Sequence, residues 1–401
     1  MSSSYAKNAI VLGLLSAVGP FAIDMYLPAL PAIALDLKAS TASTQMTLTA
    51  FFLTLGVCQI FYGPLSDTVG RKPPLYFGLG LFIAGSIGCA MASDIHWLII
   101  LRIVQGIGAA AVMVIPRAII RDLHTGIEAT RLMSLVMLVF SVSPILAPLA
   151  GSALIVPFGW RSVFLAVTLA AVLAAVLIAV VLPETRLPED RVKASVANVA
   201  GGFARLLSNP RFLGLIFIGG FGMASFFVFL TSSSFIYINH FGLTPTQYSL
   251  GFSVNAVGFI GASQFAAALG ARMGIARMVK VAASLYAFFA VVLLLVTSAG
   301  ASGLPVLMVL LFVSFACLGL VIPSSMVLAM DDHSPIAGMA SSLAGTLQML
   351  TGAVVIAGTS FFFDGTPYPM VVIIALCACC ALGLSLVTLR ERSGPAPQLV
   401  D

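Results

Sequence analysis

Long apolar runs recur along the whole chain, and they restrict it to one kind of fold. A bilayer-crossing helix needs ~20 apolar residues. That rule yields twelve candidate spans, at roughly 8–30, 43–65, 74–92, 97–119, 129–156 and 161–182, then 210–238, 245–269, 276–298, 303–329, 335–362 and 368–389. Hydrophobic residues make up 60% of the sequence and charged residues 8%, against about 25% charged in a soluble domain. A soluble globule needs a polar exterior that this composition cannot supply. The alternating ~10-residue segments of a membrane β-barrel are not seen either. The expected fold is an all-α polytopic membrane protein. Its first apolar run is expected to be retained, because it is long, carries Asp24 and ends without a small-residue cleavage site.

Basic residues sort to one side of this arrangement. With twelve spans, Lys7, Arg71, Lys72, Arg117, Arg121, Arg131, the cluster from Arg186 to Arg211, Arg272, Arg277, Lys280, Arg390 and Arg392 share a side. The other side keeps only Lys38 and Arg161, and Arg102 falls inside a span. The positive-inside rule then places both termini in the cytoplasm. The net charge of +5 belongs to this pattern and implies no nucleic acid.

The longest polar stretch, from Glu184 to Pro210, divides the chain into two sets of six spans. The expected organisation is a six-helix half over 1–183, a cytoplasmic linker over 184–209, a second half over 210–391 and a tail over 392–401. Within the linker, Ala194 to Leu207 reads either as a short interfacial helix or as flexible chain. The glycine-containing basic turns Ser66–Lys72 and Ala271–Arg277 stand six spans apart. They give the halves a faint internal repeat, as in parallel-repeat transporters.

From Asn8 to Leu35 the one charged residue is Asp24. An ionisable group at membrane depth is costly and marks a functional site by default. Asp24 and Arg102 each fall roughly 5 residues, or ~8 Å, inside the same membrane face. Two arrangements follow: an aqueous cavity in which Asp24 exchanges protons and Arg102 tunes it, or a static Asp24–Arg102 pair that joins helices. Desolvation favours the neutral acid, whereas a nearby cation favours the carboxylate. A proton and a substrate can therefore exclude one another at such a site.

Further candidates for the proton and substrate site are Tyr26, Gln105, Asn255 and Gln348, with Phe226 and Tyr237 from an aromatic-rich span 7. An aromatic lining suits bulky apolar ligands, although polar residues in membranes also simply tie helices together. In the turn after span 2, Asp67 and Arg71, with Arg121 and Asp122 at the end of span 4, form a candidate conformational latch. In span 5, Pro144, Pro148 and Gly151 favour close packing with a bend.

Signals for other functions are poor. The six cysteines all lie in apolar segments and read as packing residues. His96, His124, His240 and His333 show no metal spacing, and no phosphate-binding Gly-x-x-x-x-Gly-Lys-Ser/Thr loop is present. Neither a metal, an organic cofactor nor an enzymatic activity is expected.

Several stretches together resemble the major facilitator superfamily, and within it the Bcr/CflA type of drug:proton antiporter. They are Asp24-Met-Tyr-Leu-Pro-Ala-Leu-Pro31, Gln59 through Lys72, Arg102-x-x-Gln105-Gly106-x-Gly108, Arg117 through Asp122, and the span-5 prolines. The resemblance implies proton-driven export of small-molecule drugs, of bicyclomycin or amphenicol type, by alternating access of two halves. It implies that Asp24 carries the proton or a cationic substrate, that Arg102 takes part in coupling and that Asp67 with Arg71 forms the latch. It also implies a bacterial inner membrane, and a monomer is the default because one chain holds both halves. Two features depart from the family pattern: Ser143 stands where glycine usually precedes the first span-5 proline, and the turn after span 8 lacks an aspartate. The same machinery also suits transport of a metabolite such as an amino acid, dipeptide or sugar, in either direction.

Overall fold

A computed structural model describes residues 3–123, 126–191, 196–331 and 337–390. His124, His333 and the tail over 392–401 lie outside the described residues.

The chain is all helical. The first half holds α1 (Ser3–Asp24), α2 (Leu30–Asp36), α3 (Thr41–Val69), α4 (Lys72–Met91), α5 (Ile95–Leu123), α6 (Gly126–Phe158) and α7 (Arg161–Val181). Helix α8 (Val196–Leu207) lies in the linker. The second half holds α9 (Pro210–Ser234), α10 (Pro245–Gln264), α11 (Ala266–Met273), α12 (Ile275–Ser298), α13 (Leu304–Asp331), α14 (Ala337–Phe362) and α15 (Pro367–Thr388). By length and apolarity, eleven segments among the described residues can cross a membrane, and a bent pair makes the twelfth.

Two of the expected spans are broken. The first is interrupted after Asp24, where one 3-10 turn, Leu27–Ala29, separates α1 from α2. The sequence explains the break: Pro28 has no N–H for the Asp24 carbonyl four residues back, and Pro31 repeats the defect one turn later. The expected span over 245–269 is in fact two helices, α10 and α11, bent by 42°. No proline lies between Ile260 and Ala268; the local marks are Gly261 and Ser263, whose hydroxyl donates back to Ile260 O at 2.7 Å.

Packing repeats between the halves. In the first, α5 packs on α3 and α4, and α7 packs on α1 and α4. In the second, α13 packs on α10 and α12, and α15 packs on α9 and α12. The halves meet along α3–α14 and α6–α10, which are equivalent pairs in the repeat.

This junction is uneven along the membrane normal. Gln45 Nε2 donates to Thr231 O and to Ser232 Oγ, both at 3.2 Å. The Phe52 and Phe227 rings stack with centroids 4.2 Å apart. Nearer the middle, Thr346 donates to Gly56 O at 2.8 Å. One buried apolar cluster joins the two halves, whereas a separate cluster fills the second half around Phe212, Leu215, Val279 and Ala344. The halves are therefore closed at the end away from the basic turns.

The linker reading resolves in favour of a helix, since α8 occupies most of 194–207, although Ala194 and Ser195 lie outside the described residues. Leu206 is buried against the second half, and a Cβ on Gly202 would stand 2.7 Å from the Met339 side chain of α14.

Candidate functional site

Asp24 ends α1 at the break and is almost fully buried, with 5% of its surface exposed. Its carboxylate accepts a hydrogen bond from Ser143 Oγ on α6, at 3.2 Å to Oδ2. Close packing makes this contact possible. A Cβ on Gly151 would collide with the Met25 carbonyl oxygen, so only glycine lets α6 approach the broken strand of backbone that follows Asp24.

The second half closes over the same face of α6. Ser249 Oγ donates to Pro148 O at 2.8 Å, and Ser253 Oγ donates to Ile145 O at 2.9 Å. The span-5 prolines and Gly151 thus sit where α1, α6 and α10 converge. They place the carboxylate at the junction between halves.

Arg102 forms no ion pair with Asp24, and this rules out the static pair for this structure. The guanidinium is fully buried. Its centre lies 4.6 Å from the Tyr26 ring centroid and 4.3 Å from that of Phe51. Nη1 donates to Gln105 Oε1 at 2.5 Å and to Ala22 O at 3.4 Å, while Nε and Nη2 have no hydrogen-bond partner. Gln105 Nε2 in turn donates to Ser86 Oγ at 2.7 Å. The Tyr26 hydroxyl is hydrogen-bonded to Thr47 Oγ1 at 2.8 Å. Arg102 is consequently held two residues from Asp24 along the α1 backbone, by aromatic faces and amide dipoles in place of a carboxylate. The expected aqueous cavity is also closed around the two residues here.

The remaining candidates fall in the second half. Tyr237 lies in the π-helical turn Phe235–His240 after α9 and packs on Phe229 and Tyr248. Its hydroxyl faces the buried Asn255 side chain, and Asn255 Nδ2 donates to Gly251 O at 3.2 Å. Gln348 Nε2 is buried and unpartnered. Phe226 packs on Phe259 and Phe315, inside the second half. Orphan polar atoms in a dry interior are costly, so Gln348 Nε2 is a group a bound polar ligand or water would satisfy, and Tyr237 with Asn255 forms a second buried polar spot.

The latch candidates form a compact cluster with one exception. Arg71 Nη1 contacts Asp67 Oδ1 at 2.6 Å, and its Nε and Nη2 make a two-point contact to Asp122 at 2.7 and 3.2 Å. Nη1 also donates to Ser66 Oγ at 2.8 Å. Arg121 stands outside this cluster and lines a separate cavity. Glu184, read from sequence only as the start of the linker, completes the cluster: its carboxylate accepts from the Arg71 and Lys72 N–H groups at 2.8 and 3.0 Å. Partial burial acts to raise the Glu184 pKa, but the N–H groups of Lys72, Arg186, Arg71 and Thr185 outweigh it and hold the carboxyl below its usual value. Its members come from the first half and from Glu184 at the start of the linker, so the cluster ties the α3–α4 turn to the end of α5 and to the chain that follows α7.

Two repeated helical halves that meet around a buried, nearly unpartnered carboxylate define a secondary transporter. The chain belongs to the Major Facilitator Superfamily, which it matches over residues 12–356. It is 34% identical over 349 residues to the uncharacterized MFS-type transporter YdgK of Bacillus subtilis (strain 168), covering 86% of this chain and 87% of that one. It is 31% identical over 372 residues to a bicyclomycin resistance protein homolog of Haemophilus influenzae, covering 92% of each. In fold it is similar to the crystal structure of a D-xylose-proton symporter, with a TM-score of 0.76 at 15% identity, covering 96% of this chain and 97% of that one.

Proposed function

We propose that this transporter exports small-molecule drugs of the bicyclomycin or amphenicol type in exchange for protons. It acts as a monomer in a bacterial inner membrane, with both termini in the cytoplasm. The observation that carries the reading is Asp24. It is a carboxylate at a helix break, at the junction of the two halves, with a neutral hydroxyl as its hydrogen-bond partner and no cation paired with it. Such a group changes charge at modest cost when a proton or a cationic or polar substrate arrives. The Bcr/CflA-type motifs and the bicyclomycin resistance relative support the substrate class.

In this reading the basic end faces the cytoplasm, and the closed end, with Gln45 against Thr231 and Phe52 against Phe227, faces outward. Substrate enters from the cytoplasm, the halves rock about the α3–α14 and α6–α10 seams, and protonation of Asp24 from outside releases the substrate and resets the carrier. Tyr237, Asn255 and Gln348 contribute substrate contacts from the second half.

The test is substrate-triggered proton release in inverted vesicles holding a pH-sensitive dye under an imposed proton gradient. Chloramphenicol-type compounds and bicyclomycin should release protons, and Asp24→Asn should abolish the signal while the protein remains inserted. A response to an amino acid or sugar, with none to the drugs, would discard drug export and keep the carrier.

A further inference from the structure

Beyond the seam marked by Ser253 and Ile145, α6 and α10 diverge toward the basic end and leave a wedge-shaped cavity of about 690 Å³. Its volume is within the ~300–1,000 Å³ common for small-molecule sites. Met133, Met137, Leu138 and Ile260 supply apolar walls, and Arg121 and Gln264 supply polar edges. Leu138, one of its walls, is exposed, so the wedge opens at the molecular surface.

Its charge is one-sided. Arg121, in the last turn of α5, is exposed and has no carboxylate partner among the described residues. The neighbouring Asp122 is already committed to Arg71. Arg117, one turn earlier, is also exposed, and its guanidinium reaches over the Phe140 ring at 5.6 Å, beside the wall residues Met137 and Ser141. Two like charges four residues apart on a helix repel, and an anion between them removes that cost.

We propose that the wedge binds an anionic phospholipid from the surrounding leaflet. Its phosphate sits on Arg121 and Arg117, and an acyl chain lies against Met133, Met137 and Ile260. Basic pockets between transmembrane helices recognise headgroups in this way, and guanidinium–phosphate hydrogen bonds are strong for their size. The wedge ends at Ile145, two residues from Ser143, so an occupied wedge also holds α6 and α10 apart beside the Asp24 contact.

The test is native mass spectrometry of the full chain in detergent, with added phosphatidylglycerol or phosphatidylcholine of matched acyl chains. Wild type should retain phosphatidylglycerol preferentially. Arg121→Gln should cut retention about fivefold, the loss of one basic contact near a bilayer surface, and Arg121→Lys should keep most of it. Equal retention of the two lipids by wild type would overturn the proposal and make the wedge a vestibule for neutral amphiphiles, drugs included. Undiminished retention in a folded Arg117→Gln/Arg121→Gln variant would overturn it as well. The wild-type comparison decides the matter even where a variant fails to fold.

Discussion

Ser143 on α6 donates its hydroxyl to Asp24 at the end of α1, so the residue that departs from the usual span-5 motif is the one that touches the central carboxylate. A glycine there has no side chain to offer, and the carboxylate would stand without a donor. Ser143→Gly should therefore leave insertion intact but move the pH profile of substrate-triggered proton release, and Ser143→Thr should largely restore it. An unchanged profile in Ser143→Gly would make the contact incidental to coupling.

Arg102 tests function against packing. Two of its three nitrogens are buried without a partner. A buried charge without a counter-ion is costly, so removing it relieves that cost. Arg102→Met should keep or raise the melting temperature while substrate-driven proton movement falls at least tenfold. Full transport by a stable Arg102→Met variant would remove the arginine from the mechanism.

Gly151 and Gly63 make a matched pair. A Cβ at position 151 meets the Met25 backbone, whereas one at 63 meets nothing within 4 Å. Gly151→Ala should cost about 1–3 kcal/mol by overpacking, read as a lower melting temperature, and should impair transport. Gly63→Ala should do neither. Equal behaviour of the two would mean that α1 and α6 tolerate separation.

The cluster around Arg71 and Glu184 carries a signature in acid. Glu184 is held below its usual value of 4.5, so its folded form binds a proton less readily than its unfolded form. Its stabilisation is fully present above about pH 4.5 and is lost as the pH falls through the lower folded value. Glu184→Gln should lower the melting temperature at neutral pH and flatten the acid limb of its profile, because the contribution removed is the one present above about pH 4.5. An identical acid limb would show that its backbone contacts contribute no net stability.

These residues also show what the sequence makes legible. Asp24 and Arg102 stood out because charge in an apolar run needs no structural context, and the break after Asp24 follows from Pro28. Asp67 and Arg71 are legible together because a tight turn keeps them near, and Asp122, 51 residues on, because span 4 ends on the same side as that turn. Adjacent helical residues point about 100° apart, so Asp122 faces Arg71 while Arg121 faces the wedge. Glu184 was missed because its partners are Arg71 and Lys72, more than a hundred residues earlier. The α10–α11 bend is hard to read because Gly261 and Ser263 are weaker marks than a proline.

The closed end gives the sharpest test of alternating access. Gln45 and Ser232 lie on different halves, with Nε2 and Oγ 3.2 Å apart. This end must open if Asp24 is to exchange with the outside. In a background with the native cysteines replaced, Gln45→Cys with Ser232→Cys should form a disulfide under oxidant and stop transport, and reductant should restore it. Either single cysteine should transport normally under both conditions. The cross-link tethers only the closed end, so substrate binding from the basic end should survive it. Transport that continues through a fully formed cross-link would require a path to Asp24 that does not part Gln45 from Ser232, and the rocking of the two halves about the α3–α14 and α6–α10 seams would have to be abandoned.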